Sequence, residues 1–451
     1  MEKNNITLNE SLSSDDKCVK EKGDSCSPND NNEEYLITKE GELLPKIQIK
    51  LEEVIKSKGI TNFTIDVSAG SSVGDNFLGF IGKLVIKGID KNNKPITFNW
   101  IVKTAPTQDI FRKVLKIEIL YTREIYVYTK IFPIFERFQK EKSLLSPFKH
   151  YPKIIFSYLE PYCESFAMED MKSIGYIMRN RKQTLDYNHV KFVLKTYAKF
   201  HAVSYALKDQ KIEVFNELRE NTKDSMVEAY AKELAAENIN NSMQQALETL
   251  NKESDIEVYE KFKKLSENFT EVYYDLISKP TEYGVIGHGD SWINNMLWLY
   301  DNENNIKDVC ILDYQLCRYG SPACDLSYFI FATTEKELRD KYYNDMIMFY
   351  YYHLCQQIIE MGSNPEKCLP LSQLNEEIKR FSIVGMHYSI MVLGFITKDS
   401  NEIPNLRDGN KKLEDLGVEW KNKGKNHGEY CRRVRDCLLD CYEKGYFEYY
   451  V

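Results

Sequence analysis

The segment HGDSWINN, residues 288–295, carries residue types that phosphoryl transfer to a hydroxyl group requires. This chemistry needs a group that accepts or orients the hydroxyl proton, and oxygen ligands for a magnesium ion that bridges the donor phosphates. Asp290 suits the first task. Asn295, five residues later, and Asp313, which follows an apolar run, suit the second because magnesium prefers hard oxygen ligands.

Each of these short patterns also has an ordinary structural explanation. A lone HGD is usually a turn, and a lone aspartate after an apolar run usually caps or solvates the end of a strand. Their joint occurrence, in this order and between predicted strands, favours one site in which Asp290, Asn295 and Asp313 converge.

A lysine and a glutamate upstream form a second candidate pair. Lys103 ends a predicted strand, where its ammonium could contact the α- and β-phosphates if a carboxylate held it. Glu124 borders the inward face of a predicted helix, and a buried glutamate without a cation is costly. We therefore expect Lys103 and Glu124 to pair; the alternative is two solvated charges.

The loop SAGSSVGDN, residues 68–76, is a candidate phosphate-binding loop. Small residues let backbone N–H groups approach phosphate oxygens, and the predicted contacts are Ser71, Ser72, Gly74 and Asn76. Most loops of this composition are plain turns, so the prediction depends on the position of the loop before the Lys103 strand.

The predicted secondary structure that positions these residues changes along the chain from mainly strands to mainly helices. The first part is predicted to hold helices at 43–57 and 112–132, the second ended or kinked by Pro133, and strands at 63–68, 77–89, 96–104, 153–159 and 165–170. Residues 90–94 have turn chemistry and predict a hairpin. The rest is mostly helical, with short strands at 284–287, 296–300 and 309–312. The fold class is therefore α+β.

This pattern predicts three regions: a disordered tail over 1–34, a nucleotide-binding lobe over 35–170, and a helical lobe over 171–451 that holds the catalytic loop and the acceptor site. The tail has no apolar run typical of a signal peptide. Residues 381–396 are too few for a membrane span, which needs about 20 apolar residues, and we expect a buried helix there.

Composition excludes some classes of protein. The net charge of −8 argues against a broad nucleic-acid-binding surface, which needs clustered basic residues. The eleven cysteines contain no CxxC pair and are typical of reduced thiols, which predicts a cytoplasmic location. Cys437 and Cys441, one helical turn apart, could bind a metal, but a buried helical face is favoured.

Together these segments resemble the kinase-like superfamily of choline kinases and aminoglycoside phosphotransferases, and within it the ecdysteroid kinase-like family. The resemblance extends from about Asp66 to the C-terminal helices. Its markers are HGDSWINNMLW from His288, ILDYQLCRYGSPACDLSYF from Ile311, GDNF from Gly74, MEDM from Met168 and YAKFHA from Tyr197.

The resemblance implies a bilobal protein-kinase-like fold with a small antiparallel-sheet N-lobe and a large helical C-lobe. It implies ATP as co-substrate and Mg²⁺ as cofactor, with Asp290 as catalytic base and Asn295 and Asp313 as metal ligands. It further implies nucleotide contacts along the linker between the lobes and around the lysine: Lys103, Glu124, Met168, Glu169 and Met171.

Other residues of the resemblance have structural roles or depart from the kinase pattern. Asp325 is expected to prop the catalytic loop, with His201 and His288 packed beside it. Gly289 stands where protein kinases carry arginine, and Tyr314-Gln315 replaces Phe-Gly, which points away from protein substrates. Leu78-Gly79 stands where the family usually has a small residue and then serine.

The acceptor remains open among three hypotheses. The family favours a lipophilic alcohol, such as an ecdysteroid or a xenobiotic metabolite. The alternatives are a small polar alcohol, choline-like or sugar-like, and a nucleotide-binding pseudokinase that acts as an interaction module. The acceptor site is expected among residues 209–268 and 335–398, where part of the aromatic run 342–352 could form a wall.

Overall fold

Apolar residues at every second position build an antiparallel sheet in the first part of the chain. The computed structural model describes residues 43, 45–70, 79–106, 112, 115–223, 232–279, 281–403 and 423–451. The five-stranded sheet has the order β1-β2-β3-β5-β4, formed by β1 Thr61–Ala69, β2 Phe80–Ile89, β3 Pro95–Thr104, β4 Ile154–Tyr158 and β5 Ser165–Glu169. The predicted tail, residues 1–34, and residues 71–76 of the predicted phosphate-binding loop lie outside the described residues.

The predicted hairpin between β2 and β3 is confirmed, since Phe80 pairs with Thr104 at one end and Ile89 with Pro95 at the other. Asp90 Oδ1 accepts the N–H groups of Asn92 and Lys94 at 2.9 and 2.8 Å, which closes the turn. This register places Lys103 opposite Ile81, close to the C-terminal end of β3.

Helix α1, Pro45–Ser57, covers one face of the sheet. Its apolar residues repeat at four-residue intervals, and Ile47, Leu51 and Ile55 are fully buried. They form one cluster with Trp100 and Val102 of β3. Burial of apolar side chains on both elements therefore holds the strand that carries Lys103.

The helix predicted over 112–132 continues further than expected. It comprises α2 Ile117–Tyr126, a π-helical turn Val127–Ile131 and α3 Phe132–Glu141. The sequence predicts that Pro133 ends or kinks the helix. The helix does not end there, since helical structure continues to Glu141. Phe132 N–H donates to the carbonyl five residues back, at Val127, so Pro133 enters the first turn of α3, where its missing N–H costs no hydrogen bond.

Two small sheets follow in the helical part. β8 Met296–Tyr300 lies between β6 Ile177–Met178 and β9 Ile306–Ile311, and β7 Val285–Gly287 pairs with β10 Arg318–Gly320. The remaining helices are α4 Tyr187–Gln210, α5 Ile212–Glu220, α6 Lys232–Leu247, α7 Ile256–Ser278, α8 Pro322–Thr333, α9 Lys336–Glu360, α10 Pro365–Cys368, α11 Leu371–Ile396 and α12 His427–Glu443. The α+β class, with a small antiparallel sheet and a helical part, is confirmed. The residue boundaries of the lobes stay predictions.

The sequence left two explanations open for residues 381–396 and for the pair Cys437 and Cys441. In both cases the side chains belong to the hydrophobic core. Residues 381–396 form the second half of α11, and most of their side chains are buried. None of the helices in the described ranges combines the length and apolar character needed to cross a bilayer. Cys437 and Cys441 are fully buried on one face of α12, as the favoured interpretation predicted.

Candidate active site

A tight turn after β7 carries Asp290. The chain leaves β7 at Gly287, and Gly289 adopts a left-handed φ of 84°. A Cβ atom at Gly289 would lie 2.0 Å from the carbonyl oxygen of Leu316. Only glycine satisfies both the backbone angle and this approach, so the residue before Asp290 is fixed by steric requirements.

The carboxylate of Asp325, in α8, holds this turn through hydrogen bonds to its backbone. It accepts the backbone N–H groups of His288 at 2.7 Å and Gly289 at 2.9 Å, and His201 Nε2 lies 3.2 Å away. Burial opposes ionisation, but the hydrogen bond and charge of His201 outweigh it and lower the pKa of Asp325 below its usual range. These are the contacts expected of a residue that props the loop.

His288 connects the turn to the strand that leads to Asp313. Asp290 N–H donates to His288 Nδ1 at 3.1 Å, which leaves Nε2 as the protonated nitrogen that donates to the Leu312 carbonyl at 2.8 Å. The next residue, Asp313, has a φ of 63°, a conformation that non-glycine residues seldom adopt. One neutral imidazole therefore ties together the two halves of the site.

The Asp290 carboxylate has a partner on each oxygen. Asn295 Nδ2 donates to Oδ2 at 2.9 Å and to the Asp290 carbonyl at 3.0 Å. The hydroxyl of Tyr328 donates to Oδ1 at 3.1 Å. Burial, helped by the charge of Asp313, raises the pKa of Asp290 to about 7.

Tyr328 was not predicted to contribute to the site. It belongs to α8 and lies three residues after Asp325, so both side chains share one face of that helix. The signal that could have found it is this spacing: a helix whose aspartate supports the catalytic loop must present its neighbour one turn on to the same loop.

Lys103 is the centre of a buried ion cluster. Its ammonium lies 2.6 Å from Glu124 Oε2 and 2.8 Å from Asp313 Oδ1, and Lys103 and Glu124 are 3% and 1% exposed. Burial opposes the charge, but the carboxylates of Asp313 and Glu124 raise the pKa of Lys103 above its ordinary value. The pairing of Lys103 with Glu124 was predicted, and the contact with Asp313 was not.

A cleft that is partly open to solvent lies between the five-stranded sheet and the sheet of β8 and β9. The predicted nucleotide-binding and metal-binding residues that line it are Lys103, Glu124, Met168, Glu169, Met171, Asn295 and Asp313. Apolar residues that sequence reasoning missed line it as well: Ile81, Ile101, Leu297 and Leu312. Ser71, Ser72, Gly74 and Asn76 lie outside the described residues.

The donor set at this cleft fits a magnesium ion. Asn295 uses its amide nitrogen on Asp290, so its Oδ1 is the atom that can ligate a cation. Asp313 adds carboxylate oxygen, of which Oδ1 is in contact with Lys103. Both are hard oxygen donors, and Mg²⁺ in such sites takes one or two protein oxygens together with phosphate oxygens.

The aromatic run 342–352 contributes to packing. Tyr342 stacks on Tyr187 with ring centres 4.4 Å apart, and the hydroxyl of Tyr350 lies 2.9 Å from His201 Nδ1. Tyr351 donates to the Leu369 carbonyl at 3.2 Å. The aromatic side chains that hydrogen-bond to Asp290 are instead Tyr328 of α8 and Trp292 of the loop that follows β7.

The fold joins a small antiparallel sheet to a helical part. The pair Lys103 and Glu124 lines one cleft, and the loop that carries Asp290 adjoins it through Asn295. These features define a phosphotransferase of the kinase-like class. The sequence model described as the ecdysteroid kinase-like family matches residues 73–363. This range is well over half of the chain, and the chain belongs to the ecdysteroid kinase-like family. It is a small-molecule kinase that uses a nucleotide donor and an alcohol group as acceptor.

Two solved structures are similar to the chain at low identity. They are GDP complexes of aminoglycoside 2'-phosphotransferase-IIIa, one of a single-residue mutant and one of the wild type. Each is 11% identical, the matches cover 87% of this chain and 98% of the other, and the TM-scores are 0.39 and 0.38. No curated protein sequence matches the chain.

Proposed function

We propose that the protein transfers the γ-phosphoryl group of ATP, bound with Mg²⁺, to a hydroxyl of a lipophilic alcohol such as an ecdysteroid or a xenobiotic metabolite. One observation carries the proposal: Asp290 is held by Asn295, which lines the same cleft as Lys103 and Asp313. A phosphate-binding cation and oxygen ligands for a metal thus line one cleft, and the proton acceptor is hydrogen-bonded to one of those ligands.

ATP would occupy the cleft with its adenine among apolar side chains. Ile81 of β2, Ile101 of β3 and Leu297 of β8 supply a surface for a flat ring. Met168, Glu169 and Met171 would contact the edge of the ring from the linker. Lys103 would then reach the α- and β-phosphates, held in place by Glu124.

When bound, Mg²⁺ would neutralise charge on the phosphates and draw the β- and γ-groups into line. Asn295 Oδ1 and Asp313 are the residues that would hold it. The same Asn295 amide donates to Asp290 from its other end, so a single side chain sets the spacing between the metal and the base.

Asp290 would take the proton of the acceptor hydroxyl. The acceptor O–H bond breaks, its oxygen attacks the γ-phosphorus, and the bond from that phosphorus to the bridging oxygen of ADP breaks. A pKa raised to about 7 by burial suits a group that must accept a proton near neutral pH and release it after transfer. Asp325 contributes by keeping the turn rigid.

The acceptor class is supported by the family and by aromatic side chains near Asp290. Tyr328 contacts it directly, and Tyr388 stacks on Tyr328 with ring centres 5.3 Å apart. Trp292, two residues after Asp290, is also nearly buried. An apolar site with a few polar anchors binds a lipophilic alcohol while it leaves one hydroxyl at the base.

We place this activity in the cytoplasm. The nine cysteines within the described ranges are free thiols, including the neighbours Cys437 and Cys441 on one helical face. Reduced thiols at this number are typical of a reducing compartment.

The test is a screen of steroid, glycoside and amino-alcohol acceptors with Mg-ATP, with phosphorylated products detected by mass spectrometry. Asp290→Asn serves as the matched inactive variant. Phosphorylation of steroids by the wild type alone supports the proposal. Transfer only to amino-alcohols or sugars would replace it with the polar-alcohol alternative, and nucleotide binding without transfer would indicate a pseudokinase.

A further inference from the structure

Three side chains hydrogen-bond to the Asp290 carboxylate: Asn295 and Trp292 of its own loop, and Tyr328 of α8. Asn295 Nδ2 is 2.9 Å from Oδ2, and the Tyr328 hydroxyl is 3.1 Å from Oδ1. The torsion that turns a carboxylate about its last bond is soft and has no sharply preferred angle. One donor leaves that rotation open, whereas two donors on opposite oxygens define the plane.

The ring of Tyr328 is held by Tyr388, which is in turn held by hydrogen bonds of its hydroxyl group. The Tyr328 ring, 3% exposed, stacks on Tyr388 of α11 at an interplanar angle of 23°. The hydroxyl of Tyr388 lies 2.8 Å from the hydroxyl of Tyr273 on α7 and 3.3 Å from Arg318 Nη1 of β10. Three elements therefore fix the ring that donates to Asp290.

The backbone of Tyr328 is fixed as well, because α8 and α11 approach closely at Gly385. A Cβ atom there would lie 2.0 Å from Ser327 Oγ and 2.4 Å from the backbone nitrogen of Tyr328. One turn further along α11, Ser389 Oγ donates to the Tyr328 carbonyl at 3.3 Å. The backbone of Tyr328 is therefore held in place by α11.

We propose that Tyr328 is the positioning residue of the reaction: it fixes Asp290 Oδ1 as the oxygen that receives the acceptor's proton. This inference rests on the proposed role of Asp290. Asn295 holds Oδ2 and, in the proposed function, the metal, whereas Tyr328 holds Oδ1, and a carboxylate oxygen can accept more than one hydrogen bond. The acceptor hydroxyl binds there, next to the phenol, and gives its proton to Oδ1.

The phenol keeps its own proton during this step. Burial, together with the charge of Asp290, raises the pKa of Tyr328 well above its ordinary value. Tyr328 thus acts on the reaction only through the direction of Asp290, and it fixes the side of the carboxylate from which an acceptor approaches.

The experiment compares wild type, Tyr328→Phe and the control Tyr343→Phe. Tyr328→Phe removes the hydroxyl and keeps the ring on Tyr388. The control also removes one buried hydroxyl, whose partner is the hydroxyl of Tyr446 at 2.8 Å. Activity is measured as phosphate release from Mg-ATP with water as acceptor, and with any alcohol that the screen identifies; crystal structures of wild type and Tyr328→Phe give the Asp290 orientation.

We expect Tyr328→Phe to lower kcat about tenfold to a hundredfold, since small misplacements of a reacting group cost this much. KM for ATP should stay within about twofold, because Tyr328 does not line the cleft proposed for the nucleotide. The Asp290 carboxylate should rotate while Asn295 stays in place. Tyr343→Phe should keep kcat within about twofold of wild type.

Several results would overturn the inference. These are an unmoved Asp290 in Tyr328→Phe, a rotated Asp290 with unchanged kcat, or a loss that appears in KM for ATP alone. A wild type that transfers phosphate to neither water nor any alcohol would reject the proposed function. The two crystal structures would still decide whether Tyr328 orients Asp290.

Discussion

Lys103 and Asp313, 210 residues apart in the chain, meet at 2.8 Å between Nζ and Oδ1. The contact joins the end of β3 to the second residue after β9, so it crosses the cleft from one sheet to the other. The same carboxylate is a proposed metal ligand. Binding of a magnesium nucleotide therefore places the metal and Lys103 in competition for Asp313, unless the two carboxylate oxygens are divided between them.

The first prediction concerns Lys103 and Glu124. Lys103→Met should lower kcat/KM strongly and Glu124→Gln less, and the double variant should be less impaired than the sum of both, because the two act through one contact. Lys103→Met leaves the buried carboxylate of Glu124 without its cation and should lower the free energy of unfolding by about 3–5 kcal/mol. Glu124→Gln should lower it less, because Lys103 keeps its contact with Asp313. Urea denaturation and steady-state kinetics measure both quantities.

An exposed pair with similar geometry supplies the control. Lys50 Nζ and Glu53 Oε2 are 2.8 Å apart, but their side chains are 44% and 58% exposed. Lys50→Met and Glu53→Gln should each change stability by less than about 1 kcal/mol. Simple additivity in the Lys103–Glu124 cycle would show that these two residues do not act as partners.

The second prediction concerns the metal. Asp313→Ala should abolish turnover and leave the melting temperature without ligand near that of wild type, since Glu124 still pairs with Lys103. Chelation of Mg²⁺ should abolish turnover of the wild type in the same way. Thermal shift should record stabilisation by Mg-ATP that exceeds that by ATP alone in wild type but not in the variant. An active Asp313→Ala enzyme would refute the assignment.

A third prediction tests the turn before Asp290. Gly289→Ala should cost most of the activity, because the new Cβ meets the Leu316 carbonyl at 2.0 Å and the left-handed backbone disfavours alanine. Gly428→Ala in α12, where nothing lies within 4 Å, should leave kcat unchanged and keep or slightly raise stability. Equal activity of the two variants would mean that the turn is not constrained as described.

Local pattern explains why part of the site was predictable. Asp290 and Asn295 lie five residues apart in one turn, so their proximity follows from the chain itself. Lys103 and Glu124 could be paired because a buried glutamate requires a cation and the strand end supplied one. The class of fold followed from the change between two-residue and helical periodicity.

Other contacts depend on packing that no local pattern encodes. The close approach of α8 and α11 at Gly385, beside the backbone of Tyr328, is one of them, because the apolar residues of α8 face nearly all directions. Strands β6 and β10 have two and three residues, too few to display a period. The passage of the helix through Pro133 depends on a π-helical turn, which needs no particular residue type.

The last prediction concerns stability below neutral pH. His387 of α11 is 2% exposed, its Nδ1 has no hydrogen-bond partner among the described residues, and the rings of Phe269 and Tyr273 lie 5.3 and 5.1 Å away. Burial lowers the pKa of His387 to about 3, against 6.5 for an ordinary histidine. The unfolded chain therefore binds a proton that the folded chain rejects, and stability falls as pH drops below 6.5.

Between pH 7 and pH 5 this one group should cost about 2 kcal/mol of unfolding free energy. His387→Phe removes the titration and should flatten the slope, although His150 and His353, whose pKa values burial lowers to about 4, keep part of it. The same change at half-buried His427 should flatten the slope less. Urea denaturation at both pH values measures the difference, and an unchanged slope in His387→Phe would mean that the pKa of His387 is the same in the folded and the unfolded protein.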